Sequence, residues 1–395
     1  MEILNEIEIL KNLVSFDTSS EQAKNYSEIS NYIKNEAEKI GLDVKIIDCK
    51  KEGFEPKDGK SRPNILLTKN VGAKKTLLIL THYDIVPAEK EGWNTDPFEL
   101  TEREDKLYGR GTDDDKGPIA AVLSALSRVE KPKINLKFLI ACDEEIISKY
   151  GLEYVSSNHA DLIKADIAWN FDSNTEMIYL GGSGLIQGKI KVIGKGGHAG
   201  HMCPTDNPVP KLAYLITELE KYKKMREKKK SKTNAPPTCG NKKIWGRFST
   251  TTLNGSQSLN SIPDTAEVGF DLRLLPEEKG ETAKKELIEF LSKVSKKKDI
   301  TFELDEIEIC EGYLSIKTPL TKKFKKIAEK TVKRKLKYGG GLGAGDGTHI
   351  HKLGIPIIEF GPSDPDSICH EPNEFIRKKT LETMVRLVEN ILKEL

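Results

Sequence analysis

The chain has 395 residues, of which 37% are hydrophobic, and its 63 Lys+Arg against 61 Asp+Glu give a formal charge of +2. At about 150 residues per domain, that length fits two domains or one elaborated one, with enough apolar material for true cores rather than a disordered tail. No run reaches the roughly 18 to 20 apolar residues of a membrane span, and the balanced charge lacks the net basic footprint of a nucleic-acid-binding domain.

Three further features narrow the class. Lys221 to Lys232 (KYKKMREKKKSK) is locally basic and reads as a solvated helix end running into a loop. Six cysteines, at 49, 142, 203, 239, 310 and 369, include no C-x-x-C pair, so neither a disulfide frame nor a thiolate zinc knuckle is expected. The opening MEILNEIEILKNLVSF is acidic and amphipathic, without the basic n-region and cleavage site of a secretory leader. The expectation is a cytoplasmic protein with no membrane and no nucleic-acid partner.

Helical periodicity runs through the first 40 residues (Ile3, Ile7, Leu10, Val14, then Ile29, Ile33, Ala37, Ile40) and stops at Gly41. Strands and helices then alternate. VKIID (44–48), NILLT (64–68) and TLLILTH (76–82) read as strands, and GPIAAVLSALSRV (117–129) as a helix. KFLIACD (137–143) and DIAWNFD (166–172) are strands flanking a short helix at GLEYVSS. Such alternation predicts a mainly parallel sheet covered by helices. From Gly181 the texture changes. LIQGKIKVIG (185–194) alternates polar and apolar, a helix covers about 208–229, and a Lys/Pro/Gly loop occupies 230–243. Two more alternating strands (around RFSTTTLNG and TAEVGFDLRLL) and a helix at 281–296 complete a small α+β insert. IPIIEFG (355–361) and a helix from about Arg377 return to the first texture. The division expected is 1–180 and 301–395 as one domain, with 181–300 inserted.

The chemistry sits where the apolar strands end. His82 and Asp84 close TLLILTHYD, and an i, i+2 pair leaves one strand face, so Asp84 can orient the His82 ring. LYGRGTDDDKG carries three adjacent aspartates, Asp113 to Asp115, which is more than a helix N-cap needs and repels itself unless a cation or a basic neighbour holds it. ACDEE delivers Asp143, Glu144 and Glu145 after KFLIA, DIAWNFD delivers Asp172, and His370 follows IPIIEFGPSDPDS. Carboxyl ends of parallel strands are where ligands bind in open α/β folds. Two histidines and at least three carboxylates without cysteine suit Zn²⁺, Mn²⁺ or Co²⁺, and their number suggests two bridged metals. GGGLGAGDG lacks the Gly-Lys-Ser/Thr that ends a phosphate-binding loop and reads as a tight turn.

In combination these pieces resemble a di-zinc peptidase family. It contains acetylornithine deacetylase, succinyl-diaminopimelate desuccinylase, aminoacylase, glutamate carboxypeptidase and the carnosinase-like dipeptidases. The matching segments, in family order, are THYDIVP, YGRGTDDDKG, DEE, FD, GKGGHAGH, NSIPDTAEVGFDLR, GAGDGTHI and HEPNE. The resemblance implies a zinc-hydrolase catalytic domain with an inserted lid and dimerisation domain, and a homodimer formed through that insert. It implies two Zn²⁺ per subunit, replaceable by Co²⁺ or Mn²⁺, with His82 and Asp172 on one, Glu145 and His370 on the other, and Asp114 bridging. Asp84 would orient His82, Glu144 would be the general base, and the Asp114–Asp115 peptide would be cis. His198 would reach into the partner subunit's site, while Asn260, Arg273 and Gly345 would contact the substrate's carboxylate end.

The substrate implied is an N-acyl amino acid, with a short peptide as the alternative. A metal-binding protein without catalysis is a remote third. The family often carries Arg two residues after the aspartate of the glycine-rich loop, whereas here Asp346 is followed by Gly347 and Thr348. Asp172 and the DDKGP run lean towards the dipeptidase branch.

Overall fold

The computed structural model describes residues 2–173, 177–201, 204–255, 258–361, 363–364 and 366–395; Cys203 lies outside them. The chain divides into two compact units, one of 1–180, 315–338 and 345–395, the other of 181–314 and 339–344.

The first unit opens with α1 (Glu6–Ser15) and α2 (Tyr26–Lys39). The Asn5 side chain caps α1 by accepting the Ile7 and Glu8 N–H groups. Strands β1 (Asp43–Asp48), β2 (Pro63–Lys69) and β3 (Thr76–His82) follow, then α3 (Lys116–Arg128), β4 (Asn135–Ala141), α4 (Leu152–Asn158), β5 (Ile167–Asn170) and β6 (Ile178–Gly182). After the second unit's segments come α7 (Pro319–Val332), α8 (Gly347–Lys352), a strand Ile357–Glu359 and α9 (Lys378–Glu394). The sheet order is β1-β2-β4-β3-β5, then Ile357–Glu359, then β6.

The sheet is mixed. Its central run, from β4 through β3 and β5 to Ile357–Glu359, is parallel, and antiparallel neighbours flank it on both sides. Strands covered on both faces can be apolar throughout, and β3 is buried from Leu77 to His82. Helix α3 packs against α1 and α9, burying Ile119, Val122, Leu123 and Leu126 with Leu387, Val388 and Ile391.

Register decides where the site forms. His82 pairs with Ala141, Leu80 with Asn170, and Asn170 with Glu359. The parallel strands therefore end level, so the residues after them emerge along one edge of the sheet.

The second unit holds a four-stranded antiparallel sheet. Its strands are β7 (Leu185–Ile193), β11 (Arg247–Asn254), β13 (Thr265–Arg273) and β14 (Thr301–Cys310), in the order β11-β13-β7-β14. Helices α5 (Pro208–Lys228) and α6 (Gly280–Ser295) cover it. Ile186, Ile190 and Val192 of β7 meet Leu212, Leu215 and Leu219 of α5 and Leu287 and Leu291 of α6 in its core. A two-residue strand β8 (Gly197–His198) pairs with β12 (Ser261–Ile262).

Two expectations are corrected here. The segment 230–243 is not simply a loop: β9 (Lys230–Asn234) and β10 (Lys243–Trp245) pair antiparallel. Ser231 is buried and donates to Glu277, and Ile244 is buried against Ala235 and Leu275, so this hairpin has an inner face. The basic helix end is not wholly solvated either. Arg226 is 1% exposed and forms two 2.6 Å bonds to the Glu278 carboxylate, and Lys229 reaches Glu278 and Glu286.

Candidate metal centre

His82 is the last residue of β3 and is buried. Its Nδ1 lies 3.1 Å from the main-chain oxygen of Asp84 and 3.5 Å from an Asp84 carboxylate oxygen. An Nδ1–H donated there leaves the Nε2 lone pair free, and Nε2 points at Asp114 Oδ1, 3.0 Å away. The other Asp114 oxygen, Oδ2, lies 3.1 Å from His370 Nε2, which is 3.2 Å from Glu145 Oε2. Asp114 thus presents one oxygen to each imidazole.

Asp114 reaches this position from the turn before α3. The Asp114–Asp115 peptide is cis, and Asp115 sits at the helix N-cap without a capping hydrogen bond. Instead its Oδ2 accepts the His82 N–H at 3.2 Å.

Glu144 and Glu145 share one short helical turn after β4. The buried Asp84 carboxylate accepts both of their N–H groups, each at 3.1 Å. The sequence reading gave Asp84 to the His82 ring. In the structure its carboxylate also anchors the glutamate turn, a contact between residues 60 apart that no local pattern announces. Behind the turn, Asp143 is tied by Arg62 Nε at 2.7 Å and the Tyr26 hydroxyl at 2.8 Å.

Among the described residues, two groups could each hold a cation: His82, Glu144 and Asp172, and Asp114, Glu145 and His370. Within each, the ligand atoms lie within 4.8 Å of one another. The set joins four carboxylates to two imidazoles, all hard or borderline donors that suit divalent ions. Fully ionised, four carboxylates carry −4, which two divalent cations would balance. Without cations, protons must do that work. Burial and the nearby Asp114 push Asp172 up to about 8, and burial together with Asp172 and Asp346 holds Glu144 well above the carboxylate range. Hydrogen bonds to Asp114 and Glu145 lift His370 to about 10, while half-buried Asp114 is held far below its usual value by both imidazoles. A donor set that is frustrated by its own charge fits cation binding.

The remaining residues from the sequence reading fall in two places. Gly345 lies in the first unit, where a Cβ on it would stand 3.4 Å from Glu144 Oε1, and the neighbouring buried Asp346 accepts the Ser148 hydroxyl. His198, Asn260 and Arg273 are in the second unit. His198 is exposed, stacks on His201 at 4.2 Å, and accepts the Gly200 N–H on Nδ1, so its neutral ring carries the proton on Nε2. The Asn260 carbonyl accepts the Ala199 N–H at 2.9 Å, which sets Asn260 beside His198. Arg273 is paired with Asp271 at 2.8 Å.

Known proteins are similar to this chain over most of its length. A metallohydrolase of uncharacterized function from Methanocaldococcus jannaschii is 29% identical over 365 residues, covering 85% of each chain. A succinyl-diaminopimelate desuccinylase from Rickettsia bellii is 28% identical, with 98% of this chain and 95% of that one covered. A crystal structure of an M20 family metallo-carboxypeptidase from Sulfolobus solfataricus superposes with a TM-score of 0.78 at 23% identity, over 100% of this chain and 99% of that one. Residues 78–394, which span every member of both ligand groups, match the model of peptidase family M20/M25/M40. This chain belongs to that family and is a metallohydrolase.

Proposed function

We propose that the protein removes the acyl group from an N-acyl amino acid, in the manner of acetylornithine or succinyl-diaminopimelate deacylases. The observation that carries the reading is Glu144, a half-buried carboxylate whose pKa is raised and whose ligand-distance neighbours are His82 and Asp172. Full-length similarity to proteins named as desuccinylases supports the acyl class.

His82 and Asp172 would hold one cation, Glu145 and His370 the other, with Asp114 between them; Zn²⁺ is the ion proposed, with Co²⁺ or Mn²⁺ as substitutes. Bound cations would supply a water of lowered pKa and polarise the scissile carbonyl. Glu144 takes the proton from that water as it attacks, then returns it to the leaving nitrogen. His198 donates its Nε2 proton to the oxygen on which charge develops, acting in the site of the partner subunit of a homodimer built through the second unit. Asn260, Arg273 and Gly345 contact the carboxylate end of the substrate. We place the enzyme in the cytoplasm; Cys49, Cys142, Cys239 and Cys369 are free thiols, and no helix among the described residues is long and apolar enough to cross a membrane.

A second reading, hydrolysis of short peptides, is favoured by Asp346. This buried carboxylate adjoins Gly345 and raises the pKa of Glu144, so it stands where a substrate's free α-amine would find an acidic partner. Assaying N-acetyl and N-succinyl amino acids beside dipeptides, with Zn²⁺, Mn²⁺ and Co²⁺, separates the two. Acyl amino acids should be turned over with the higher kcat/KM. A preference for dipeptides assigns the second reading instead, and hydrolysis of neither class defeats both.

A further inference from the structure

The segment that carries His370 ends at Glu374, which no role above uses. Glu374 is 1% exposed, and both of its oxygens are fully engaged. Oε1 accepts the N–H groups of Asp113 at 2.9 Å and Asp114 at 3.2 Å; Oε2 accepts the Gly111 N–H at 3.1 Å and Arg110 Nη1 at 2.6 Å. The turn that delivers Asp114 therefore wraps its backbone around this one carboxylate. Contacts also run the other way. Arg110, from the same turn, donates through Nη2 to the His370 carbonyl at 2.9 Å, while its guanidinium lies over the Trp93 ring. His370 itself sits at a φ of 71°, a strained left-handed conformation for a non-glycine residue. A fixed hydrogen bond to its carbonyl helps hold that conformation.

We propose that Glu374 and Arg110 form a two-way brace between the Asp114 turn and the His370 segment, acting as positioning residues for the Asp114–Glu145–His370 group; the proposal rests on the metal-site reading above. Three considerations carry it. A buried ion pair adds little net stability over an apolar replacement, so its value here lies in geometry. Four donors on a single carboxylate exceed what closing a turn requires. The two segments braced are the ones that must keep Asp114 Oδ2 and His370 Nε2 3.1 Å apart. Residues that orient ligands from behind typically change metal affinity or activity by about 10- to 100-fold when altered. The other group draws His82 from the end of β3 and Asp172 from just beyond β5, so the brace reaches it only through Asp114, which faces both imidazoles.

The test is titration of metal-depleted full-length protein with Mn²⁺, followed by calorimetry and by electron paramagnetic resonance of the bound ion, alongside melting temperature. Wild type should take two equivalents. Glu374→Gln keeps the volume but turns an amide NH₂ towards N–H donors. Arg110→Lys keeps the charge but cannot serve Glu374 and the His370 carbonyl together. Each should bind the equivalent that Glu145 and His370 hold about 10- to 100-fold more weakly and the other, which shares only Asp114 with the brace, with a smaller loss. Leu387→Ala, in the core of α9 and remote in role, should lower the melting temperature and leave both equivalents unchanged. The proposal is overturned if both brace variants bind two equivalents as wild type does. It is equally overturned if they lose both together in step with the melting temperature, as a purely structural role requires. Should Glu374→Gln not fold, Arg110→Lys decides alone, and failure of both to fold counts against a selective role. Wild type that binds two Mn²⁺ yet hydrolyses no substrate defeats the proposed function and leaves the brace standing.

Discussion

Glu144 and Glu145 are adjacent in one turn, yet they fall into different ligand groups, one with His82 and Asp172 and the other with Asp114 and His370. The Asp84 carboxylate, by fixing both amides, sets that divergence. Glu144→Gln preserves volume and removes the proton acceptor, so it should keep its metal while losing about 10²- to 10⁴-fold in turnover. Glu145→Gln should lower metal content instead, read by elemental analysis of the purified proteins. If the two variants exchange these phenotypes, the roles within the pair are reversed. His82, Glu144, Glu145 and Asp172 stood out in the sequence because each ends or closely follows an apolar strand, whereas Asp114 lies in the turn before α3 and His370 well beyond Glu359. Asp84's grip on the glutamate turn and the Glu374–Arg110 brace were not legible there, since both join segments 60 or more residues apart through backbone donors. The HEPNE segment shows that a glutamate is present, but nothing in it shows that three main-chain N–H groups converge there.

Elements were readable in proportion to their burial. β3 is buried over six successive residues and its ends match the sequence reading. β14 went unread. Its residues alternate between exposed and half-buried, and a register break between Asp305 and Glu308 interrupts the period. Helix α7 was also unread, because lysines surround the narrow stripe of Phe324, Ile327 and Ala328 that it buries. The β9–β10 hairpin was hidden by lysine and proline in the same way. The small β8–β12 pair presents His198, whose proposed role across a dimer interface is open to a direct test. Glu144→Ala and His198→Ala homodimers should each be nearly inactive. A co-expressed, differently tagged heterodimer pairs an intact Glu144 with an intact His198 at one of its two sites, and should recover about half the wild-type activity per dimer. A purified heterodimer that stays inactive, while both homodimers fold and hold metal, would show that His198 does not act across an interface.

At the scale of the whole molecule, the unbalanced carboxylates couple stability to pH. Without cations, Asp172 is raised from 3.8 to about 8 and His370 from 6.5 to about 10. In both cases the folded state holds a proton that the unfolded chain releases earlier. The Asp172 penalty therefore grows as pH rises from 3.8 towards 8, and the His370 contribution is lost as pH rises from 6.5 towards 10. Asp114, lowered rather than raised, has the opposite sign, but its window lies below 3.8. The melting temperature of metal-free protein should accordingly fall between about pH 6.5 and 9, and saturating Zn²⁺ should flatten that slope by replacing the protons. Equal slopes with and without metal would remove the link between these groups and cation binding.

Two histidine–carboxylate groups at the carboxyl edge of the sheet are proposed to hold the ions that make this metallohydrolase active on acyl amino acids. The most direct test is hydrolysis of the best acyl amino acid by protein stripped with a strong chelator, then titrated with Zn²⁺. Activity should vanish on stripping and return as up to two equivalents bind. Full activity in protein shown by elemental analysis to be metal-free would contradict the account.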